Sequence, residues 1–191
     1  MNRTKLLNFE HLEQALWCSA QDSSIESAIL SDWLLDSTSL SLRLQKHCQH
    51  LDVKVINQQS VEHLAPNDQA WLGNVSCLVR EVVISGDKKP WVIARTLIPH
   101  ATLTNDEQDI LDLGDNLLGL RIFSHSTARR DEIEVATILP DPTSNKKLWA
   151  RRSRLWINNK PMLVAELFLP HAPIYEKDNQ QMGQEIMNGH D

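Results

Sequence analysis

The sequence predicts an α+β fold, a single domain on an antiparallel sheet of about six strands with helices covering one face. Three observations predict it. Two pairs of strand-like runs are each joined by a short, turn-rich link, the mark of consecutive hairpins and so of antiparallel pairing. Helical spacing is confined to the N-terminal quarter and the stretch between the hairpins, so helices do not alternate with strands as a parallel sheet requires. The 191 residues, 41% hydrophobic and 23% charged, suit one sizeable core better than two.

The elements follow in order. Ser24-Ile25-Glu26-Ser27-Ala28-Ile29-Leu30 runs into Trp33-Leu34-Leu35 with apolar residues at helical spacing. Asp36-Ser37-Thr38-Ser39 interrupts it, and a Ser or Thr there caps a second helix carrying Leu40, Leu42 and Leu44. From Leu51 the period shifts to two, with Val53 and Val55 between polar neighbours. Val75 to Ile84 and Trp91 to Pro99 flank Ser85-Gly86-Asp87-Lys88-Lys89-Pro90 as the first hairpin. Lys147 to Ile157 and Met162 to Leu169 flank Asn158-Asn159-Lys160-Pro161 as the second. Between them, Asp106 to Leu113 reads as a helix stopped by Gly114, Asn116 to Phe123 as a shorter one, and Glu132 to Leu139 as a strand. The domain is expected over residues 1–175, with 176–191 a polar, Gln-rich, disordered tail.

Several function classes are disfavoured at this level. A net charge of −6 opposes general nucleic-acid binding, which needs clustered cations, but leaves room for a small anionic ligand held by one or two arginines. Cys18, Cys48 and Cys77 are odd in number and widely spaced, so neither a disulfide framework nor a zinc site is expected. Met1 to Glu10 lacks the apolar core of a signal peptide, and no run is long enough to span a bilayer, which points to the cytoplasm. His47-Cys48-Gln49-His50 reads as a surface helix end rather than a metal site. Ser124-His125-Ser126-Thr127 reads equally as an anion loop and as an ordinary polar loop. There is no Gly-x-Ser-x-Gly elbow and no Gly-rich phosphate loop.

The informative residues are charges on apolar faces. Glu166 lies in Pro161 to Pro170, a run otherwise apolar enough for a strand buried on both sides. By strand alternation it shares a face with Met162, Val164 and Phe168; Arg80 shares one with Leu78, Val82 and Ile84; Arg95 shares one with Trp91, Ile93 and Leu97. A buried carboxylate needs a partner. Either Arg80 and Glu166 form a buried ion pair, the commoner fate of such charges, or they line a pocket in which arginine clasps a carboxylate and glutamate takes a hydroxyl. Arg95 lies near Asp and Glu residues and can end in ion pairs or at solvent. Arg151 joins Trp149 and Leu155, Arg152 and Arg154 are assigned to a solvated outer face, and Arg129-Arg130-Asp131 to a loop or strand-entry salt bridge.

Several of these segments, in this order, resemble the chorismate lyase family. They are Leu78-Val79-Arg80-Glu81-Val82, Pro90-Trp91-Val92-Ile93-Ala94-Arg95-Thr96, Leu117-Leu118-Gly119 and Ser126-Thr127-Ala128-Arg129-Arg130-Asp131. Leu148-Trp149-Ala150-Arg151-Arg152-Ser153-Arg154-Leu155, Lys160-Pro161 and Glu166-Leu167-Phe168-Leu169-Pro170 complete the set. The match covers Val75 to Tyr175, and more loosely Trp33-Leu34-Leu35 and Ser39-Leu40-Ser41. The resemblance implies a twisted antiparallel sheet with an internal ligand cavity enclosed under helical flaps. It implies conversion of chorismate to 4-hydroxybenzoate and pyruvate, the first committed step to ubiquinone in many bacteria, by a monomer using no metal or organic cofactor. It carries substrate binding to Arg80 and Glu166 and flap contacts to Leu118 and Leu40. On the chemistry of that reaction, Arg95 and Arg151 are further candidates for the side-chain carboxylate or the leaving enolate, and Glu166 with a raised pKa is a candidate base for the C4 proton. A flat product with both polar ends satisfied should leave slowly and inhibit. Ala94 stands where some members have Gly, the Ala136 to Lys147 loop is longer, and the tail after Tyr175 is unmatched. Two alternatives stay open: a non-catalytic effector-binding domain on the same fold, and a sibling enzyme making another benzoate. Too few residues precede the sheet for the DNA-binding helix-turn-helix that effector domains accompany.

Overall fold

A computed structural model describes residues 8–25, 27–139 and 146–176. Seven strands form one antiparallel sheet: β1 (Cys18–Ser19), β2 (Leu51–Val61), β3 (Cys77–Gly86), β4 (Lys89–Pro99), β5 (Arg129–Ile138), β6 (Leu148–Ile157) and β7 (Lys160–Phe168). Their order across the sheet is β1-β5-β6-β7-β4-β3-β2. The α+β class stands, and the seventh strand is the two-residue β1, which adds an edge beside β5.

Both expected hairpins are tight two-residue turns. Asp87 and Lys88 have φ of 47° and 68°, Asn158 and Asn159 of 49° and 60°. Positive φ at both central positions gives the type I′ turn, whose twist matches that of the flanking strands. Gly86 is needed for a different reason: a Cβ there would sit 2.2 Å from the Trp91 ring, which packs across the strand end.

The helices are short: α1 (Glu10–Glu13), α2 (Ala28–Leu34), α3 (Leu40–Gln45), α4 (Pro66–Leu72) and α5 (Leu118–Phe123). Ser27 and Ser39 cap α2 and α3, accepting from Leu30 N and Leu42 N, both at 3.4 Å. The segment before Gly114 is a 3-10 helix, Asn105–Asp112, and Gly114 at φ 53° ends it. No helix is long and apolar enough to cross a membrane among the described residues.

Helices lie on both sides of the sheet. One side buries Leu78, Ile98, Leu155, Met162 and Val164 together with Ile110 and Ile122. The reverse side buries Val79, Leu97 and Leu163 with Leu64, and Trp71 of α4 packs against them. The tail expected over 176–191 lies, beyond Glu176, outside the described residues, as does the 140–145 part of the longer loop.

Candidate active site

Antiparallel register decides which charges meet. Arg80 pairs with Thr96, Ala94 with Glu166, Glu166 with Arg151, and Val164 with Ser153. Directly paired residues project to the same face, so these side chains point together toward α3, α5 and the 3-10 helix. They surround a cavity lined by Arg80, Val82, Ile84, Ala94, Thr96, Arg130, Leu155, Val164 and Glu166 from the sheet. Leu40 and Ser41 of α3, with Leu117, Leu118 and Gly119 at the start of α5, close it.

Arg80 and Glu166 do not pair with each other. Arg80, 2% exposed, donates through Nη1 to Gln58 Oε1 at 3.0 Å, and through Nη2 to Gly114 O at 2.7 Å and Asn116 O at 3.0 Å. These acceptors are neutral, and no carboxylate forms an ion pair with Arg80 among the described residues. Burial pushes its pKa below the ordinary arginine value, only partly offset by Asp115. A buried cation with neutral partners and two remaining N–H groups is prepared for an anion.

Glu166 is held instead by Arg151, whose Nε donates to its Oε2 at 2.5 Å. The buried Arg80–Glu166 pair weighed from sequence is therefore replaced by Arg151–Glu166, because β6 lies next to β7 while β4 separates β7 from β3. Arg151, fully buried, also donates through Nη1 to Trp33 O at 3.1 Å and Asp36 O at 3.0 Å, tying the α2–α3 link to the carboxylate. Burial alone would raise the Glu166 pKa, but Arg151 and then Arg130 outweigh it and hold the carboxyl below the ordinary glutamate value. The expectation of a raised pKa is corrected accordingly, since two guanidinium groups share the carboxylate's surroundings.

Arg95 does not reach the cavity. It projects to the reverse face, with Glu13 at 3.1 Å, Asp68 at 3.4 Å and Glu81 at 3.7 Å. Its neighbours Ala94 and Thr96 line the cavity, and alternation sends Arg95 the other way. Arg152 was assigned to solvent but is 7% exposed, bonded to Glu134 Oε2 at 2.6 Å and flanked by Trp17 and Trp71. The covering helices α1 and α4, not anticipated, account for this.

Arg130, expected in a loop or strand-entry salt bridge, lines the cavity, and Gln58, which sequence reasoning did not single out, bonds Arg80; both are placed by strand irregularities. The register shifts between Asp131 and Glu134, where Glu132 has φ 50°, and this leaves Arg130 opposite Leu155 on the cavity face. A second shift between Val55 and Asn57 sets Gln58 opposite Arg80. Arg130 donates to Ser153 Oγ and lies 3.7 Å from Glu166 Oε2. Burial, with Arg151 adding to it, pushes its pKa down to about 10. Ser124 to Thr127 is an exposed polar loop in which Thr127 bonds Asn158. Among the described residues no three His, Cys, Asp or Glu side chains group to hold a metal.

Residues 11–180 match the family described as Chorismate lyase. A relative named "Probable chorismate pyruvate-lyase" from Photobacterium profundum is 47% identical, over 94% of this chain and 99% of its own length. "Chorismate pyruvate-lyase" from Yersinia enterocolitica is 34% identical, over 83% of this chain and 91% of its own. Among solved structures, PhnF from Mycobacterium smegmatis aligns with a TM-score of 0.53 and 13% identity, over 71% of this chain and 65% of that one. The effector domain of PhnF aligns with a TM-score of 0.50 and 13% identity, over 70% and 89%. Similarity at that identity speaks to the fold alone.

Proposed function

This chain belongs to the chorismate lyase family, and from that premise we propose that Arg80 and Glu166 grip opposite ends of the substrate in the enclosed cavity. The reaction removes pyruvate from chorismate and leaves 4-hydroxybenzoate. Chorismate is a cyclohexadiene with a carboxylate at C1, an enolpyruvyl ether at C3 and a hydroxyl at C4. The C4–H electron pair becomes a ring bond, the C3–O bond breaks with its pair on oxygen, and the departing enolpyruvate gains a proton at its methylene carbon to become pyruvate. Aromatisation supplies the driving force, so the protein has to select the reactive conformer, exclude water and stabilise the oxygen that leaves.

One observation carries the residue assignment: a buried arginine with neutral partners faces a buried carboxylate across one cavity. Arg80 takes the ring carboxylate with its two remaining N–H groups. Glu166, kept ionised, accepts the hydrogen of the C4 hydroxyl. A carboxylate already bonded to arginine is a weak base, so its chief task is to orient the ring. Leu40 and Leu118 close the cavity above the ring's apolar faces. The ligands are chorismate and 4-hydroxybenzoate, and the small internal site supports neither a nucleic-acid nor a membrane role. We assign the enzyme to the cytoplasm, to ubiquinone biosynthesis and to action as a monomer.

The test is an incubation with chorismate, following 4-hydroxybenzoate by absorbance and identifying it by chromatography. Wild type should produce it, while Arg80→Ala and Glu166→Ala should each lose roughly 100-fold or more in kcat/KM. Equal turnover in all three removes both residues from the mechanism. A different benzoate as product would identify a sibling enzyme, and binding without turnover an effector domain.

A further inference from the structure

We propose that Arg130 binds the second carboxylate of the substrate, the one on the enolpyruvyl ether, and stabilises the charge gathering on the ether oxygen as it departs. The assignment rests on the reading of the cavity as a chorismate site. Its first support is charge. Among the described residues, Arg80 and Arg130 are the two guanidinium groups on the cavity wall and Glu166 is its one carboxylate, already bonded to Arg151 behind it; Asp115 and Asp36 act on the two wall arginines only from outside the lining. Two buried guanidinium groups on one cavity wall, neither in hydrogen-bonded contact with a carboxylate among the described residues, suit a ligand with two anionic groups, and chorismate carries two carboxylates.

The second support is a donor left over. Arg130 Nε is buried and makes no hydrogen bond among the described residues, while Nη1 is fixed on Ser153 Oγ. Buried N–H groups are nearly always paired, and because Arg130 lines the cavity this donor is available to a ligand there. Arg151 also leaves Nη2 unpaired, but its Nε and Nη1 are committed to Glu166 and to the α2–α3 carbonyls. It acts as a positioning residue for Glu166.

The third support is geometry. The ether at C3 is adjacent to the hydroxyl at C4. With the hydroxyl on Glu166, the ether emerges beside that carboxylate, and Arg130 is 3.7 Å from Glu166 Oε2. Arg80 is occupied with the C1 carboxylate across the ring. A cation beside the breaking C3–O bond favours the leaving enolate more than the neutral ether, which is the condition for accelerating the step.

The experiment separates the two carboxylates. The product 4-hydroxybenzoate keeps the ring carboxylate and the hydroxyl but lacks the ether carboxylate. Arg130→Gln should lower kcat/KM for chorismate roughly 100-fold or more. Because Arg130 stands 3.7 Å from the carboxylate assigned to the hydroxyl, the Kd of 4-hydroxybenzoate should rise as well, but by a factor at least about tenfold smaller than the fall in kcat/KM; the retained binding also shows that the variant is folded. An equal loss in both quantities, or an unchanged kcat/KM, overturns the assignment. Should Arg130→Gln not fold, Arg130→Lys is judged by the same split. A lysine cannot bond Ser153 and ligand together in the fork geometry of arginine, so kcat/KM should fall roughly tenfold with product affinity kept; an equal fall, or none, overturns the idea. Absence of turnover in the wild type refutes the lyase reading itself and is seen before any variant is made.

Discussion

The pair Arg151–Glu166 sets the protonation state on which the site depends. Glu166 is buried, yet Arg151 at 2.5 Å and Arg130 at 3.7 Å keep it ionised. The kcat/KM profile should therefore show no glutamate inflection between about pH 5 and pH 8, its acid limb lying below the ordinary glutamate range. In Arg151→Gln that limb should move toward neutrality, since burial then acts with less opposition. An inflection near pH 6 to 7 in wild type, as from a base tuned by burial, would contradict this. The same depression adds stability at pH values above the unfolded glutamate pKa and loses it as pH falls through the folded value. That Arg80 and Glu166 are buried charges on the inner face of the sheet was legible because each interrupts an apolar strand face. Their partners were not. Alternation along one strand gives faces, but the neighbour of β7 is a matter of sheet order, and that order put Arg151 where Arg80 was considered.

At the level of elements, the hairpins were readable because Asp87-Lys88 and Asn158-Asn159 carry turn chemistry between alternating runs. Arg130 and Gln58 were hidden by bulges, which reverse the parity that assigns faces and leave no strong mark in composition. The helices α1 and α4 are too short to show a periodic stripe, and so the reverse-face burial of Arg95 and Arg152 went unseen. The two flaps meet where α3 and α5 begin. A Cβ on Gly119 would lie 2.8 Å from Ser41 Oγ, so one methyl group forces the flaps apart. Gly119→Ala should weaken inhibition by 4-hydroxybenzoate, raising Ki severalfold, about as expected for 1 kcal/mol of overpacking at the seam. A progress curve with added product measures it, and unchanged inhibition would show that release does not pass through this contact.

Over the whole molecule, an acidic chain of net charge −6 encloses a cationic chamber. The outer charge does not attract an anionic substrate, so selection falls to the interior, where low dielectric strengthens each contact. The sheet supplies Arg80 from one side and Glu166 with its arginines from the other, and in the proposed complex the flaps seal the ring between them. The central claim is that these groups hold opposite ends of one para-substituted ring. A crystal structure with 4-hydroxybenzoate bound tests it most directly. The account predicts the carboxylate on Arg80 and the phenol oxygen on Glu166, beneath Leu40 and Leu118. A ligand reversed in the cavity, or seated on the reverse face beside Arg95, would contradict it.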